Sequence, residues 1–233
     1  MQFKEKLHQG FFKKRERRFF AHIDCPGQGE LVAHLPNTGS LRNVLSEGNP
    51  CWFSRSTNPE RKLPWTLEAV QVEGRWVGVH SGQANTLVAE SLAEIFPGSR
   101  LCQREPIWNP GTRFDFLIED KDLRKIYVEV KSVSLANDPG LRPELASSVA
   151  LFPDTVTQRG QKHLRELMEV LKSGSRACLI FVVQREGASA FSIARTLDSR
   201  YAELFLEALR AGLEVKVFPV LFEDTEFRLC LQE

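Results

Sequence analysis

Hydrophobic positions in the first third of the chain fall in short runs, and turn-forming residues separate these runs. The pattern predicts five strands, at residues 18–25, 30–35, 50–54, 66–72 and 75–80. Pro26-Gly27, Pro36-Asn37-Thr38-Gly39 and Glu73-Gly74 are typical of the turns between them. Short strands at spacings of about 8–12 residues are typical of small sandwiches and barrels. We therefore expect residues 1–82 to form a five-stranded β-barrel of the OB type.

The pattern changes after Gly82 to helical periodicity and continuous apolar runs. It predicts helices from Asn85 or Thr86 to Pro97-Gly98, over 155–172 and over 198–211. Strands are predicted at residues 101–105, 113–119, 125–135, 177–184, 214–222 and 227–232, and a loop at 136–148. This order of elements, α-β-β-β-α-β and then α-β, predicts an α/β domain with a mixed sheet over residues 83–233.

Charged residues placed on an apolar strand are the strongest chemical signal in the sequence. In Tyr127-Val128-Glu129-Val130-Lys131, Glu129 and Lys131 share one face, and the valines occupy the other. Asp115, on the preceding strand, can bring a second carboxylate to the same place. Two carboxylates with water suit a hard cation such as Mg²⁺, with Mn²⁺ as the alternative. A lysine beside them can orient a water for attack on a phosphodiester.

An Asp followed at a distance by Glu-x-Lys resembles the PD-(D/E)XK nuclease signature, and the αβββαβ order fits the core of that fold. The resemblance implies Asp115 and Glu129 as metal ligands, and both of them with Lys131 as catalytic residues. In that fold a glutamate of the first helix often completes the site. Glu90 is the candidate for this role, with Glu94 as the second choice.

A structural role for the same residues is the alternative. Glu129 and Lys131 could form a salt bridge on the strand face, with Asp115 paired to Arg113. A direct Lys131–Glu129 salt bridge that fills this space would favour a scaffold without turnover. A cation bound between Asp115 and Glu129 would favour an enzyme.

The net charge of +1 hides an uneven distribution. Residues 1–82 hold 12 Lys and Arg against 8 Asp and Glu, whereas the remainder holds 19 against 22. Basic residues interleaved with aromatic ones suit a nucleic acid, because they neutralise phosphates and stack bases. We predict nucleic-acid contacts in this part for Lys13, Lys14, Arg15, Arg17, Arg18, Arg61 and Lys62. Trp52 and Trp65 are expected mainly to pack the barrel.

A second group of donors opens the helix at 155–172. Asp154, Thr155 and Thr157 are candidate N-caps, and the free N–H groups of a helix start attract anions. We predict phosphate contacts here for Arg159, Lys162 and His163. The alternative is an ordinary capped surface helix with solvated basic residues.

Several of these stretches resemble the bacterial and archaeal sugar fermentation stimulation protein family. The resemblance is carried by Arg18-Phe19, Pro36-Asn37-Thr38-Gly39, Arg61-Lys62-Leu63-Pro64, residues 113–116 and 127–133, and above all residues 152–167. It implies an N-terminal OB-like domain, a PD-(D/E)XK restriction-endonuclease-like domain and non-specific DNA binding. The family name suggests a link to sugar metabolism. The sequence departs from the family between Lys131 and Phe152, where extra residues could alter access to the site.

Taken together, the residues predict a largely sequence-non-specific DNA-binding protein with a Mg²⁺-dependent phosphodiesterase site. The alternative is a non-catalytic DNA-binding regulatory protein linked to sugar metabolism, which uses the nuclease fold as a scaffold. The partner would be single- or double-stranded DNA, and a homodimer is an open alternative. No apolar run approaches the ~20 residues of a membrane span. Five scattered cysteines without a CxxC pair are typical of reduced thiols, so we expect a cytoplasmic protein.

Overall fold

The computed structural model of the 233-residue chain describes residues 1–136 and 148–231. The first part of the described chain contains six strands: β1 (His8–Glu16), β2 (Phe20–Cys25), β3 (Gly29–His34), β4 (Pro50–Arg55), β5 (Trp65–Val72) and β6 (Arg75–Gly78). The second part begins with the helices α1 (Gln83–Glu90) and α2 (Leu92–Ile95).

The rest of the second part alternates between strands and two longer helices. Its elements are β7 (Arg100–Arg104), β8 (Ile107–Asn109), β9 (Thr112–Arg113), β10 (Phe116–Glu119), β11 (Lys125–Val133), β12 (Ser148–Phe152), α3 (Gln158–Lys172), β13 (Arg176–Val183), β14 (Ala188–Ile193), α4 (Ser199–Arg210), β15 (Glu214–Phe222) and β16 (Phe227–Leu229). The predicted loop at 136–148 lies mostly outside the described residues, and its last residue begins β12.

Five strands close the N-terminal barrel. Strands pair in the order β3-β2-β1-β4-β5, and a parallel pairing of β3 with β5 closes the ring. Apolar residues from alternate positions, such as Ile23, Leu35 and Val70, fill the interior. The expected OB-type barrel is thus confirmed, with β6 as a sixth strand attached to β5.

The composition of the barrel differs from the prediction in one strand. β1 is the central strand between β2 and β4, yet sequence patterning placed no strand before residue 18. Its inward positions hold only Gly10 and Phe12, and its other positions are mostly polar, so the apolar alternation is too weak to detect. Gly10 is required by packing, because an added Cβ would lie 2.7 Å from the Asp24 carbonyl oxygen and from the Ile23 side chain.

The second part is built on a mixed six-stranded sheet in the order β16-β15-β13-β11-β10-β7. The three central strands β11, β13 and β15 run parallel, and the outer ones are antiparallel. Helix α1 covers one face, where Leu87 packs with Val128 and Val130. Helices α3 and α4 cover the other face, where Leu164 packs with Phe181. The αβββαβ core with a mixed sheet is therefore confirmed.

The two parts are joined by hydrogen bonds as well as apolar contacts. The Gly78 N–H donates to the carbonyl of Gln184 at 2.8 Å, and Gln184 is fully buried. The side chain of Gln184 donates to Ser132 Oγ at 2.7 Å and to the His80 carbonyl at 3.3 Å. The first residues of the chain also lie against the C-terminal sheet, since Gln2 pairs with Glu226. The barrel is thus fixed at the end of the central strands.

Polar side chains start the two long helices. Thr157 is the N-cap of α3, and its side chain accepts from the Gly160 N–H. It is one of the three residues predicted as candidates for this cap. Asp198 is the N-cap of α4 and also accepts from the Thr157 N–H, so one carboxylate fixes both helix starts.

Within the described residues, no helix combines the length and the apolar character that crossing a membrane requires.

Candidate active cleft between barrel and sheet

An open polar cleft of about 540 Å³ lies where the barrel meets the sheet. Its walls come from both parts of the chain. The barrel side supplies Asn37, Thr38, Gly39 and Ser81, and the sheet side supplies Asp115, Glu129, Lys131, Asp154 and Arg159, with Asn85 from α1 between them. The structure thus brings three of the four predicted catalytic residues to one place.

Asp115 is held between α1 and β11. It directly precedes β10, and its backbone N–H donates to the Val128 carbonyl at 3.0 Å. Its carboxylate accepts from the Asn85 amide at 2.5 Å and from the Val130 N–H at 2.7 Å. Two donors from two elements leave this carboxylate little freedom to rotate.

The electrostatic surroundings of Asp115 are unfavourable for its charge. Burial, followed by the nearby charge of Glu129, raises the pKa of Asp115 to about 6. The two donors and Lys131 offset this only in part. Perturbed carboxyl groups of this kind cluster at functional sites.

Glu129 is almost fully buried and shares one of its oxygens between two partners. Lys131 Nζ lies 2.6 Å from Glu129 Oε1, and His163 Nδ1 donates to the same oxygen. The Nε2 atom of His163 accepts from Arg159 Nε at 3.4 Å. Burial raises the pKa of Glu129, but Lys131 and His163 outweigh it, so the pKa is lowered and the carboxylate stays ionised.

The second oxygen of Glu129 makes the site suitable for a cation. Glu129 Oε2 is buried and has no hydrogen-bond partner among the described residues, which is costly for a carboxylate unless a cation or water satisfies it. Within the described residues, no group of three or more His, Cys, Asp and Glu side chains forms a metal site. Asp115 and Glu129 therefore offer two carboxylates to a ligand, and two carboxylates with several waters are a set of ligands that Mg²⁺ accepts.

The expected pairing of Asp115 with Arg113 is not observed. Arg113 instead pairs with Glu105 at 2.9 Å on the surface. The other half of that alternative, the Lys131–Glu129 salt bridge, is present but occupies only one oxygen of Glu129.

Glu90 is not brought to the other three residues. Its carboxylate is half exposed and pairs with the N-terminal amine of Met1 at 2.7 Å. Asn85, and not Glu90, is the residue of α1 that lines the cleft, because the two residues lie about 140° apart around the helix. One sequence signal could have identified Asn85 as a residue of the cleft. It is an asparagine in the first turns of α1, and asparagine is unfavourable inside helices.

The α3 residues predicted to contact phosphate divide between the cleft and its surroundings. Arg159 lines both the cleft and an adjoining hollow of about 680 Å³, which also contains Lys162 and Arg113. Lys162 Nζ donates to the Gly111 carbonyl at 2.7 Å. His163 borders the hollow, but it is buried and its Nδ1–H is directed to Glu129.

The basic residues of the barrel that are predicted to contact nucleic acid differ in whether they already have a partner in the protein. Lys13 pairs with Glu30 at 2.8 Å, and Arg17 lies 3.5 Å from Glu16. Arg15 donates to backbone carbonyls of a neighbouring loop.

The other four predicted basic residues of the barrel differ in their contacts. Arg61 hydrogen-bonds His34 at 3.1 Å. Lys14, Arg18 and Lys62 form no ion pair within the described residues and remain available to a ligand.

Fold and cleft together define a class of protein in which an OB-like barrel is joined to a PD-(D/E)XK restriction-endonuclease-like domain. The family model described as "SfsA N-terminal OB domain" matches residues 14–79. The family model described as "Sugar fermentation stimulation protein RE domain" matches residues 82–226. The chain belongs to the sugar fermentation stimulation protein family.

Relatives and a solved structure agree with this membership over nearly the whole chain. A sugar fermentation stimulation protein homolog of Bdellovibrio bacteriovorus is 41% identical, over 94% of this chain and 92% of that protein. A homolog of Shewanella loihica is also 41% identical, over 91% of this chain and 89% of that protein. The structure of Pyrococcus furiosus SfsA in complex with Ca²⁺ has a TM-score of 0.84 and 25% identity, and covers 98% of this chain and 95% of that chain.

Proposed function

We propose that this protein binds DNA without strong sequence preference and hydrolyses phosphodiester bonds in the cleft with a divalent cation. The observation that carries the proposal is the buried, unpartnered Oε2 of Glu129 beside Asp115 in an open cleft. Mg²⁺ or Mn²⁺ would be held by Asp115 and Glu129. The Ca²⁺ in the Pyrococcus furiosus relative supports a divalent cation at this fold.

The side chains around the pair divide the work. When bound, the cation would neutralise charge that develops on the phosphate and increase the acidity of a bound water. Lys131 provides a fixed positive group beside the carboxylates, where it can orient a water and stabilise negative charge. His163 and Lys131 hold Glu129 by one oxygen and leave the other free for the cation.

The substrate backbone would run along the basic groups that border the cleft. Arg159 lies at the junction of the cleft and the adjoining hollow, and Lys162 continues the line of positive charge. On the barrel, Lys14 and Arg18 add positive charge that forms no ion pair in the described parts of the chain. In this proposal residues 1–82 mainly grip the nucleic acid and residues 83–233 carry the reacting groups.

A second candidate is a DNA-binding scaffold without turnover. The Lys131–Glu129 salt bridge at 2.6 Å favours it, because the bridge satisfies part of Glu129 without any cation. Such a protein would bind DNA and could serve the regulatory link to sugar metabolism that the family name suggests.

The deciding experiment is a cleavage assay with Mg²⁺ or Mn²⁺ on single-stranded, duplex and branched DNA and on RNA. The variants Asp115→Asn, Glu129→Gln and Lys131→Met should lower cleavage by at least about a hundredfold, in line with the loss of a transition-state donor or ligand. Glu169→Gln and Lys172→Met, an exposed pair on α3, are matched controls that should cleave normally.

Each outcome decides between the candidates. Cleavage that persists equally in the three cleft variants would show that it comes from elsewhere. DNA binding with no cleavage on any substrate, and no Mn²⁺ binding by calorimetry, would establish the scaffold.

A further inference from the structure

The loop of residues 36–41, which follows β3, forms the barrel wall of the cleft. Asn37, Thr38 and Gly39 all line the space that also contains Asp115 and Glu129. This loop belongs to the barrel, so the cleft is incomplete in either part alone.

Arg15 fixes the loop from the barrel side. Its guanidinium donates to the Asn37 carbonyl at 2.6 Å and to the Gly39 carbonyl at 2.9 Å. Carbonyl oxygens repel a phosphate, and here two of them are bound to a cationic group instead of being left to face a ligand. The arrangement lowers the electrostatic barrier to an anion at this wall.

Asp154 fixes the loop from the C-terminal side. Its Oδ2 accepts from the Ser40 N–H at 2.7 Å, from Ser40 Oγ at 3.0 Å and from the Leu41 N–H at 3.4 Å. An added Cβ on Gly39 would lie 2.7 Å from the same oxygen, so a larger residue at this position would require the Asp154 carboxylate to move. The predicted helix cap at Asp154 is therefore a link between the two parts of the chain.

Thr38 is the residue of the loop that remains available. It is exposed, and neither its hydroxyl nor its N–H makes a hydrogen bond within the described residues. By contrast, the N–H of Gly39 is bonded to Asn37 Oδ1 at 2.8 Å. A rigid loop with one free hydroxyl and one free amide at a phosphodiester cleft is suited to hold a phosphate oxygen.

We propose that the loop of residues 36–41 is a phosphate-binding element of the cleft, in which Thr38 donates to the nucleic-acid backbone. Arg15 and Asp154 are positioning residues that hold this loop. The inference rests on the proposed function and adds to it a substrate contact from the barrel. It also changes the role of Arg15, which acts through the loop instead of contacting phosphate itself.

The first test concerns Thr38 and measures binding without turnover. Fluorescence anisotropy with a labelled DNA oligonucleotide in EDTA gives the affinity, because no divalent cation is available for cleavage. Thr38→Val should bind about tenfold more weakly, the usual effect of one lost hydrogen bond to a charged group. Thr57→Val, at an exposed threonine of the barrel outside the cleft, should bind like the wild type. Equal affinity of Thr38→Val and wild type would overturn the proposal.

The second test separates positioning from direct phosphate contact at Arg15. A residue that neutralises a phosphate contributes about 0.9 to the slope of log K against log salt concentration. Arg15→Ala should lower the affinity and leave the slope unchanged, whereas Lys14→Ala should reduce the slope. A reduced slope for Arg15→Ala would show direct contact and overturn its positioning role.

The third test uses Asp154 and the kinetics of the cleaving enzyme. Asp154→Ala should raise KM about tenfold with kcat nearly unchanged, because a backbone contact is made equally in the ground and transition states. Asp154→Asn retains an acceptor oxygen and should restore most of the KM. Asp224→Ala is the matched control, since Asp224 also links the N-terminal residues to the C-terminal sheet but lies outside the cleft. Unchanged KM in Asp154→Ala would contradict the proposal.

Failure of this inference and failure of the proposed function give different results. If the wild type binds DNA but cleaves nothing, the catalytic proposal fails and the binding tests still decide the role of the loop. If the wild type cleaves and the loop variants bind normally, the loop proposal alone is wrong.

Discussion

The carboxylate of Asp115 accepts a hydrogen bond from the backbone N–H of Val130 at 2.7 Å. Val130 lies between Glu129 and Lys131, so this bond fixes Asp115 to the strand that carries the other two groups. The backbone bond keeps the two carboxylates together, and burial, followed by repulsion from the charge of Glu129, raises the pKa of Asp115. The charge of Asp115 in the cleft therefore lowers the stability of the folded protein.

The first prediction is that Asp115→Asn stabilises the protein at neutral pH. The folded-state pKa of Asp115, about 6, is above its ordinary value of 3.8, so the folded protein holds this proton more tightly than the unfolded chain does. The stabilisation that comes from the bound proton on Asp115 is fully present below about pH 4. It is lost as the pH rises through about 6. Urea unfolding at pH 8 should show Asp115→Asn about 2 kcal/mol more stable than wild type, with the difference disappearing near pH 4.

Asp120→Asn is the control with the opposite sign. Backbone bonds to Arg124, together with Arg176, lower the pKa of Asp120, so its charge stabilises the fold. This variant should be less stable than wild type at neutral pH and should approach it as the pH falls. A destabilised Asp115→Asn at pH 8 would contradict the electrostatic account of the cleft.

The second prediction concerns the response to divalent cations. Mn²⁺ or Mg²⁺ should raise the Tm of the wild type, because a ligand that binds only the folded state stabilises it by about 2.7 kcal/mol at one hundred times its Kd. The effect should weaken below about pH 6, where Asp115 becomes protonated and stops acting as a ligand. Calorimetric melting at pH 5 and at pH 7.5 measures both. An equal cation response in Glu129→Gln would place the cation elsewhere.

The third prediction is that Asp198 is a major source of stability near the site. Asp198 is buried and accepts from the N–H groups of Thr157 and Tyr201 and from the Gln161 amide. Asp198→Ala should lose about 2–4 kcal/mol in urea unfolding, because it removes a cap and leaves buried donors unpaired. Asp198→Asn, which keeps one acceptor oxygen, should lose less. If the two variants are equally stable, the hydrogen bonds do not carry the effect.

The fourth prediction ranks the basic residues of the barrel by their existing partners. Lys14→Ala and Arg18→Ala should each lower the salt dependence of DNA binding, because their charges form no ion pair with any residue that the structure describes. Lys13→Ala should have a smaller effect, since Lys13 already neutralises Glu30 at 2.8 Å. Titrations at several salt concentrations compare the three slopes. Equal slopes would show that the Lys13–Glu30 pair opens on binding.

Periodicity was sufficient for much of the fold because most elements bury one continuous face. The strand at Glu129 alternates charge and valine, and the long helix α3 places Leu164 and Leu167 on one stripe. The strand β1 could not be predicted in this way, because its inward side holds a glycine and a single phenylalanine. Strand β12 was missed because the residues before it suggested a loop.

The candidate site was predictable where its residues lie on a regular strand or, like Asp115, directly beside one. Asp115, Glu129 and Lys131 follow from side-chain alternation and element order. The roles of Asn85, Arg15 and Asp154 depend on contacts between residues far apart in the chain, such as Asp154 with Ser40. Glu90 lies on the expected helix, but it is the last residue of α1 and pairs with the N-terminal amine of Met1 instead of reaching the cleft. Five residues separate Asn85 from Glu90, which places their side chains about 140° apart around the helix, and the apolar stripe alone does not show which polar side faces the cleft.

The packing of Gly78 against Gln184 has a consequence for how the two parts can be recombined. An added Cβ on Gly78 would lie 2.6 Å from Gln184 Oε1, and Gln184 in turn spans Ser132 and the His80 carbonyl. A chimaera that takes its barrel from one protein and its endonuclease-like part from another must therefore match these two positions. A chimaera that places a larger residue at position 78 against this glutamine should pack poorly where the barrel meets the sheet, even when every residue inside each part is unchanged.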